Sequence, residues 1–213
     1  MFISEDTIEK NKQTFIELLN QVERPGSNIS GLISKLESSD FFIAPASTKW
    51  HNACRGGLVD HCLNVYYNLK SLVKNKHLEE VISNESIIVC GLLHDLSKMN
   101  VYEPSIRNKK VYTENGSKVD NLGRFEWISE QTYSMKKDSD RFQYGNHEET
   151  AEFMVRCFIP LTVEESIAIL HHHAGKGFDS STQNISYLMS VNPLLVLLHS
   201  ADMISTFVDE SME

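Results

Sequence analysis

Apolar side chains recur at helical spacing along most of the chain. Ile8, Phe15, Ile16 and Leu19 predict a helix over residues 5 to about 22, which Arg24-Pro25-Gly26-Ser27 would break. A short second helix is expected over residues 29–36, then an irregular stretch over 41–54 that contains Pro45 and Trp50. Leu58, Cys62, Val65, Leu69 and Leu72 line one face of a helix expected over 58–73, with Gly56-Gly57 freeing the backbone ahead of it. A further helix is expected from residue 79 to about residue 98. It contains Ile87-Ile88-Val89-Cys90-Gly91-Leu92-Leu93, which is apolar or small on every side and so reads as the C-terminal half of a buried helix. The run is short for a membrane span, which needs ~20 apolar residues.

Between residues 107 and 137 the pattern changes. Lys109-Lys110-Val111-Tyr112-Thr113 is strand-like, Asn115-Gly116 is a turn signal, and Phe125-Glu126-Trp127 and Tyr133-Ser134-Met135 alternate. These features predict a small β-ribbon at about 108–136, inserted between helices. Helical pattern returns at His147 and runs through Ala151, Met154, Val155 and Phe158 until Pro160. Thr162-Val163-Glu164-Glu165 has capping-box spacing, so a helix should start there and run to about residue 172. Residues 175–181 read as a flexible loop. Asn192-Pro193 is a cap followed by proline at the first helical position, and the last helix should run from 194 to about 208. The expected class is all-α.

Composition narrows the function. With 213 residues, 41% of them hydrophobic, the chain can fill a substantial core. A net charge of −9 argues against a broad surface for duplex nucleic acid, but not against a small anionic substrate held by a few local cations. Cys54, Cys62, Cys90 and Cys157 are scattered, which suits reduced thiols in a cytoplasmic protein. The acidic N-terminus has no signal-peptide core, and no membrane association is expected. Oligomeric state is not legible.

The candidate chemistry lies where polar groups interrupt apolar helices. His61 falls within the 58–73 helix, His94-Asp95 ends the buried run, and His172 ends the capped helix. Asp202 lies two turns past Leu195, and His147 starts its own helix. A charge at the depth of Asp95 is costly without compensation, and a divalent cation that accepts imidazole and carboxylate together would supply it. Each residue also has a plain explanation. His94 could cap its helix while Asp95 pairs with Lys98. His61 could be a satisfied histidine, and His147 a solvated helix start beside Glu148 and Glu149. His171-His172-His173 could be a polar loop end, and Asp202 could pair with His199. All of them together, in this order, are much harder to dismiss.

The order His61, His94-Asp95, Asp202 resembles the HD-domain metal-dependent phosphohydrolases. Gly56-Gly57-Leu58-Val59-Asp60-His61 is similar to that family's first-histidine helix, and Gly91-Leu92-Leu93-His94-Asp95-Leu96-Ser97-Lys98 to its H-D-x-x-K helix. Gly145-Asn146-His147-Glu148 and Ile169-Leu170-His171-His172-His173 resemble segments of the HD modules of phages and Gram-positive bacteria, and of the HD part of certain 3′-to-5′ exoribonucleases. The resemblance covers about residues 45–208, and it departs from the minimal family core in Asn100 and the β-ribbon. It implies a single HD domain over residues 1–213, a helical bundle with residues 1–44 as an N-terminal helical extension and 45–208 as the core.

The resemblance further implies one metal on His61, His94, Asp95 and Asp202, and a second on His147 and His172 with Asp95 bridging. The triple histidine leaves the register open by one residue, and the alignment favours His172. Mn, Fe, Co, Ni and Zn accept such mixed ligands, one or two ions per chain, whereas Mg prefers oxygen alone. Asp95 and Lys98 are the expected catalytic pair. Lys98, Arg55, Arg107 with Lys109 and Lys110, and Lys176 are candidates for the substrate phosphate. The implied activity is hydrolysis of a phosphate ester in a nucleotide, cyclic nucleotide or short oligonucleotide. The alternatives are an oxygenase-type di-iron enzyme, and a non-catalytic module that senses a nucleotide or docks a partner.

Overall fold

The computed structural model describes residues 3–173 and 185–210. Four helices come first: α1 (Glu5–Leu19), α2 (Ile29–Glu37), α3 (Gly57–Asn75) and α4 (Asn84–Leu93). A single 3-10 turn, Leu96–Lys98, follows α4. Three strands are next, β1 (Tyr102–Tyr112), β2 (Lys118–Asp120) and β3 (Gly123–Met135), and then α5 (His147–Arg156), α6 (Val163–Leu170), α7 (Ile185–Val191) and α8 (Pro193–Ile204). The α8 segment continues as one wider π-helical turn, Ser205–Asp209.

The all-α class is overturned. The chain is predominantly helical, but it carries a genuine three-stranded antiparallel sheet of order β1-β3-β2. The sheet is also longer than the expected ribbon: pairing starts at Tyr102, opposite Met135, and runs without a break to Tyr112 opposite Phe125. Pro104 hid this start, because proline cannot donate to a ladder and argues against a central strand. Here it lies on β1, an edge of the sheet, where the missing donor costs least.

The helical elements follow from caps and apolar faces. Ser83 caps α4 by accepting from the Ser86 N–H, which starts that helix five residues later than the apolar pattern alone suggests. Capping boxes at Asn146/Glu149 and Thr162/Glu165 start α5 and α6. Helix α7 was not anticipated; it is only seven residues long, and its apolar positions Ile185, Leu188 and Met189 are partly buried against the core. Ile87 through Leu93 are all buried, as an apolar run with no polar face requires.

One glycine sets how close α4 comes to its neighbour. A Cβ on Gly91 would lie 2.8 Å from the Tyr66 Cα on α3, so the two helices meet backbone to backbone at that point. The approach brings the C-terminal end of α4 against the first turns of α3. Helix α8 packs along α3 as well, and α6 along α8. The ends of α3, α4, α6 and α8 thereby face one buried point.

The N-terminal segment is tied to this core by a partly buried ionic cluster around the buried Glu165. Arg24 donates through Nη1 and Nη2 to both oxygens of Glu165 (2.6 and 2.8 Å) and through Nε to Glu85 (3.0 Å). Burial works against the charge on Glu165, but the Arg24 bonds outweigh it and hold the carboxyl below its ordinary range. Arg24→Ala should therefore cost ~3–5 kcal/mol at pH 7, because it strands a buried carboxylate. A depressed carboxyl pKa gives stability that is present above the unfolded value of ~4.3 and is lost as pH falls through the folded one. The gap between wild type and variant should accordingly narrow in acid. Denaturant unfolding of both proteins from pH 7 to pH 3 checks this, and equal stabilities at pH 7 would refute it.

Candidate metal centre

Asp95 is the hub. It lies just past the end of α4 and is 1% exposed. Its Oδ2 faces His61 Nε2 at 3.4 Å, His94 Nε2 at 3.6 Å and Lys98 Nζ at 2.6 Å. Its Oδ1 faces His147 Nε2 at 2.7 Å and His172 Nε2 at 3.8 Å. Asp202, on α8, approaches the same His61 Nε2 at 3.3 Å. The two carboxylate oxygens of Asp95 are thus turned to two different histidine pairs.

The histidines share one hydrogen-bonding pattern. His94 Nδ1 donates to the Gly91 carbonyl (3.1 Å) and His172 Nδ1 to the Ile169 carbonyl (2.7 Å). His61 Nδ1 meets both oxygens of Glu210 (3.0 and 3.2 Å), and His147 Nδ1 meets the Ser97 hydroxyl (2.7 Å). A carbonyl can only accept, so in the neutral rings of His94 and His172 the proton is on Nδ1 and the lone pair on Nε2. The Nε2 atoms of His61, His94 and His172 are buried and have no hydrogen-bond partner among the described residues.

Buried polar atoms are rarely left this way, and a metal-ligating imidazole has its other nitrogen anchored by a carbonyl or carboxylate in the manner seen here. Ligand atoms of His61, His94 and Asp202 lie within 4.8 Å of one another, as do those of His94, Asp95 and His172. Bonds of ~2.0–2.2 Å to one tetrahedral ion place ligand atoms at comparable separations. By donor type, tautomer and spacing these residues fit a transition metal.

The electrostatics follow from burial and neighbours. Burial opposes charge on Asp95, but Lys98 and the surrounding histidines hold its carboxyl well below the usual range. Burial likewise opposes charge on Asp202, and His61 holds that carboxyl far down. Burial pushes His94 down to about 3 and His51 down to about 4. For His61 burial is outweighed by Asp202, Asp95 and Glu210, which raise it well above its ordinary value.

Of the sequence candidates, His61, His94, Asp95, His147, His172 and Asp202 come together, and Lys98 joins them. The Asp95–Lys98 ion pair named as the plain explanation is present alongside the histidines. The Asp202–His199 pair is not: His199 Nδ1 bonds the His172 carbonyl instead (2.7 Å). His172, which the alignment favours, is fully buried with Nε2 3.8 Å from Asp95. His173 is partly exposed and bonds Glu148 through Nδ1 (2.9 Å), with Nε2 3.6 Å from Asp202.

Two phosphate candidates do not converge on the centre. Arg55 is exposed and bonded to Glu5 on α1 (2.8 Å), a partner unseen in the sequence pattern. Arg107 lies mid-strand opposite Glu130, five residues and ~17 Å of strand beyond Tyr102. Lys109 flanks it on the same strand, and Lys110 bonds Asp120 instead. Lys176 and the 175–181 loop lie outside the described residues.

Sequence reasoning missed Ser97, Glu210, Glu148 and His51. Glu210 is 6% exposed, and the Asn64 amide also donates to it (3.1 Å). Replacing Glu210 with alanine frees the His61 ring and its tautomer. Metal affinity should fall 10–100-fold, as for other lost outer partners of a ligand histidine, with Glu210→Gln in between. A competition titration against a chromophoric chelator measures this, and an affinity within twofold of wild type would exclude a positioning role. Comparison of the chain with protein-family models, with curated proteins and with solved structures returns no match.

Proposed function

We propose that the chain is a metal-dependent phosphohydrolase of the HD-domain kind, acting on a phosphate ester in a nucleotide, cyclic nucleotide or short oligonucleotide. The observation that carries this reading is the set of anchored imidazoles whose Nε2 atoms converge, buried and unpartnered, on a single carboxylate. His61, His94, Asp95 and Asp202 would hold one ion, and His147 and His172 a second with Asp95 shared. Mn, Fe, Co, Ni or Zn suits these ligands better than Mg. Such an ion, when bound, supplies Lewis acidity and a water acidic enough to attack phosphorus near neutral pH.

The chain's own residues do the remainder. The carbonyls of Gly91 and Ile169 and the carboxylate of Glu210 keep the Nε2 atoms presented without reorganisation. Lys98, whose side chain is 13% exposed, brings a fixed positive charge to the same carboxylate, where phosphate charge would develop. Four free cysteines fit the cytoplasmic setting proposed for it. Among the described residues no single helix is long and apolar enough to cross a membrane.

The test is a phosphate-release screen over mononucleotides, cyclic dinucleotides and short oligonucleotides, with Mn, Co, Ni, Fe and Mg compared side by side. Release of phosphate or of a shortened nucleotide, strictly dependent on a transition metal, is the expected result. Turnover that consumes oxygen and accepts only iron would replace this reading with the oxygenase one. Tight nucleotide binding without turnover would replace it with the sensing module.

A further inference from the structure

His51 lies beside the centre but has no part in the ligand set proposed above. It sits in the turn-rich stretch between α2 and α3, beside Trp50, whose side chain is 82% exposed. The backbone around it is pinned on both sides. The Ser47 hydroxyl donates to the His51 carbonyl (2.8 Å), and the Ala46 N–H to the Asn52 carbonyl (3.0 Å). The Asn52 side chain in turn donates to Asp60 on α3 (2.9 Å), with Asn52 itself at φ +44°. These contacts hold the His51 ring against His61, with 4.9 Å between centroids.

Both ring nitrogens of His51 are buried, and neither has a hydrogen-bond partner among the described residues. That sets it apart from His61, His94, His147 and His172, each of which has its Nδ1 anchored. An anchored imidazole presents one lone pair, as a ligand does. An imidazole with neither nitrogen engaged also brings an uncommitted N–H, and leaving it unmet costs the desolvation of that group. Ligand atoms of His51, His61 and Glu210 lie within 4.8 Å of one another, close enough to share one small ligand or ion.

We infer that His51 is a catalytic residue whose ring N–H donates to the phosphate group taken up beside His61 and Lys98. The inference rests on the phosphohydrolase reading and adds a substrate contact to it. His51 and Lys98 would then form a pair of donors, one neutral and one charged, on the same phosphate.

The experiment uses the full chain loaded with Mn, inorganic phosphate as the probe, and the variants His51→Ala and His51→Gln. Elemental analysis gives metal content, calorimetry gives phosphate affinity, and the best substrate of the release screen gives turnover. In His51→Ala the metal content should match wild type, while phosphate affinity falls about 10-fold, the worth of one hydrogen bond. Turnover should fall on the order of 10²–10³-fold. His51→Gln, which returns an N–H donor of similar reach, should recover part of both, and it carries the test alone if the alanine variant does not fold. Loss of metal from either folded variant would make His51 a ligand or a support and overturn the inference. So would unchanged phosphate affinity in variants of an active wild type, which would leave the phosphohydrolase reading standing. A wild-type protein that binds Mn yet neither binds nor releases phosphate would defeat that reading, and this inference with it.

Discussion

Asp95→Asn should empty the centre of metal, whereas His147→Ala or His172→Ala should remove only one of two ions. The difference follows from how Asp95 is placed. One of its oxygens faces His61 and His94, and the other faces His147 and His172. Asparagine keeps the shape but replaces one oxygen by a donor and removes the charge, so the His147/His172 pair loses its anionic ligand and the His61/His94 pair keeps only Asp202. The loss of affinity should exceed the 10–100-fold typical of a lost outer partner, and turnover should fall below detection. Elemental analysis of the three purified variants, loaded in parallel with wild type, reads out the stoichiometry. Unchanged metal in Asp95→Asn would rule out a shared carboxylate. Loss of both ions in His147→Ala would show that the two positions are not separable.

Lys98→Ala should lower turnover by on the order of 10²–10³-fold while metal content stays intact, the effect of removing one electrostatic donor from a reaction centre. Lys98 Nζ lies 2.6 Å from Asp95 Oδ2, so a purely structural ion pair is the competing account, and melting temperature separates the two. In metal-free protein Lys98 compensates a buried carboxylate, and its loss should destabilise by ~3–5 kcal/mol. In metal-loaded protein the ion compensates the same carboxylate, so the stability loss should largely disappear while the turnover defect persists. A Lys98→Ala protein that turns over normally when loaded would remove the lysine from the reaction. One whose melting temperature drops equally with and without metal would give it a structural role only.

The proposed ligands were legible because each interrupts an apolar pattern that has its own reason to exist. Ile87 to Leu93 needs no polar group, so His94-Asp95 at its end stands out. His61 among Leu58, Cys62 and Val65 stands out in the same way, as does Asp202 after the leucine-rich start of α8. The residues that orient them were not legible. Ser97 reaches His147 across fifty residues of chain, and no periodicity marks a hydroxyl for that purpose. Glu210 reads as a solvated acid beyond the last helix. It is buried because the wider turn Ser205–Asp209 shifts the chain's rotation and carries it back against α3. His51 was hidden within a stretch without regular pattern, which periodicity reads only as loop. The early start of β1 was hidden for a related reason, since an exposed edge segment containing Pro104 lacks the apolar alternation by which strands are recognised, and the ribbon that was expected proved to be a three-stranded sheet that the all-α class leaves out.

The side chains proposed to hold metal come from five well-separated stretches of chain, from His61 to Asp202. An ion seated among them would act as a reversible cross-link, closing several long loops at one point. Closing a long loop costs little more entropy than closing a short one, so distance along the chain is no obstacle to such a clasp. Its strength depends on supply. A ligand that binds only the folded state stabilises it by ~2.7 kcal/mol at a hundred times its dissociation constant and by ~4.1 kcal/mol at a thousand times. Folding and metal availability then become a single equilibrium, and the lifetime of the polypeptide in a cell would register how much free metal that cell contains.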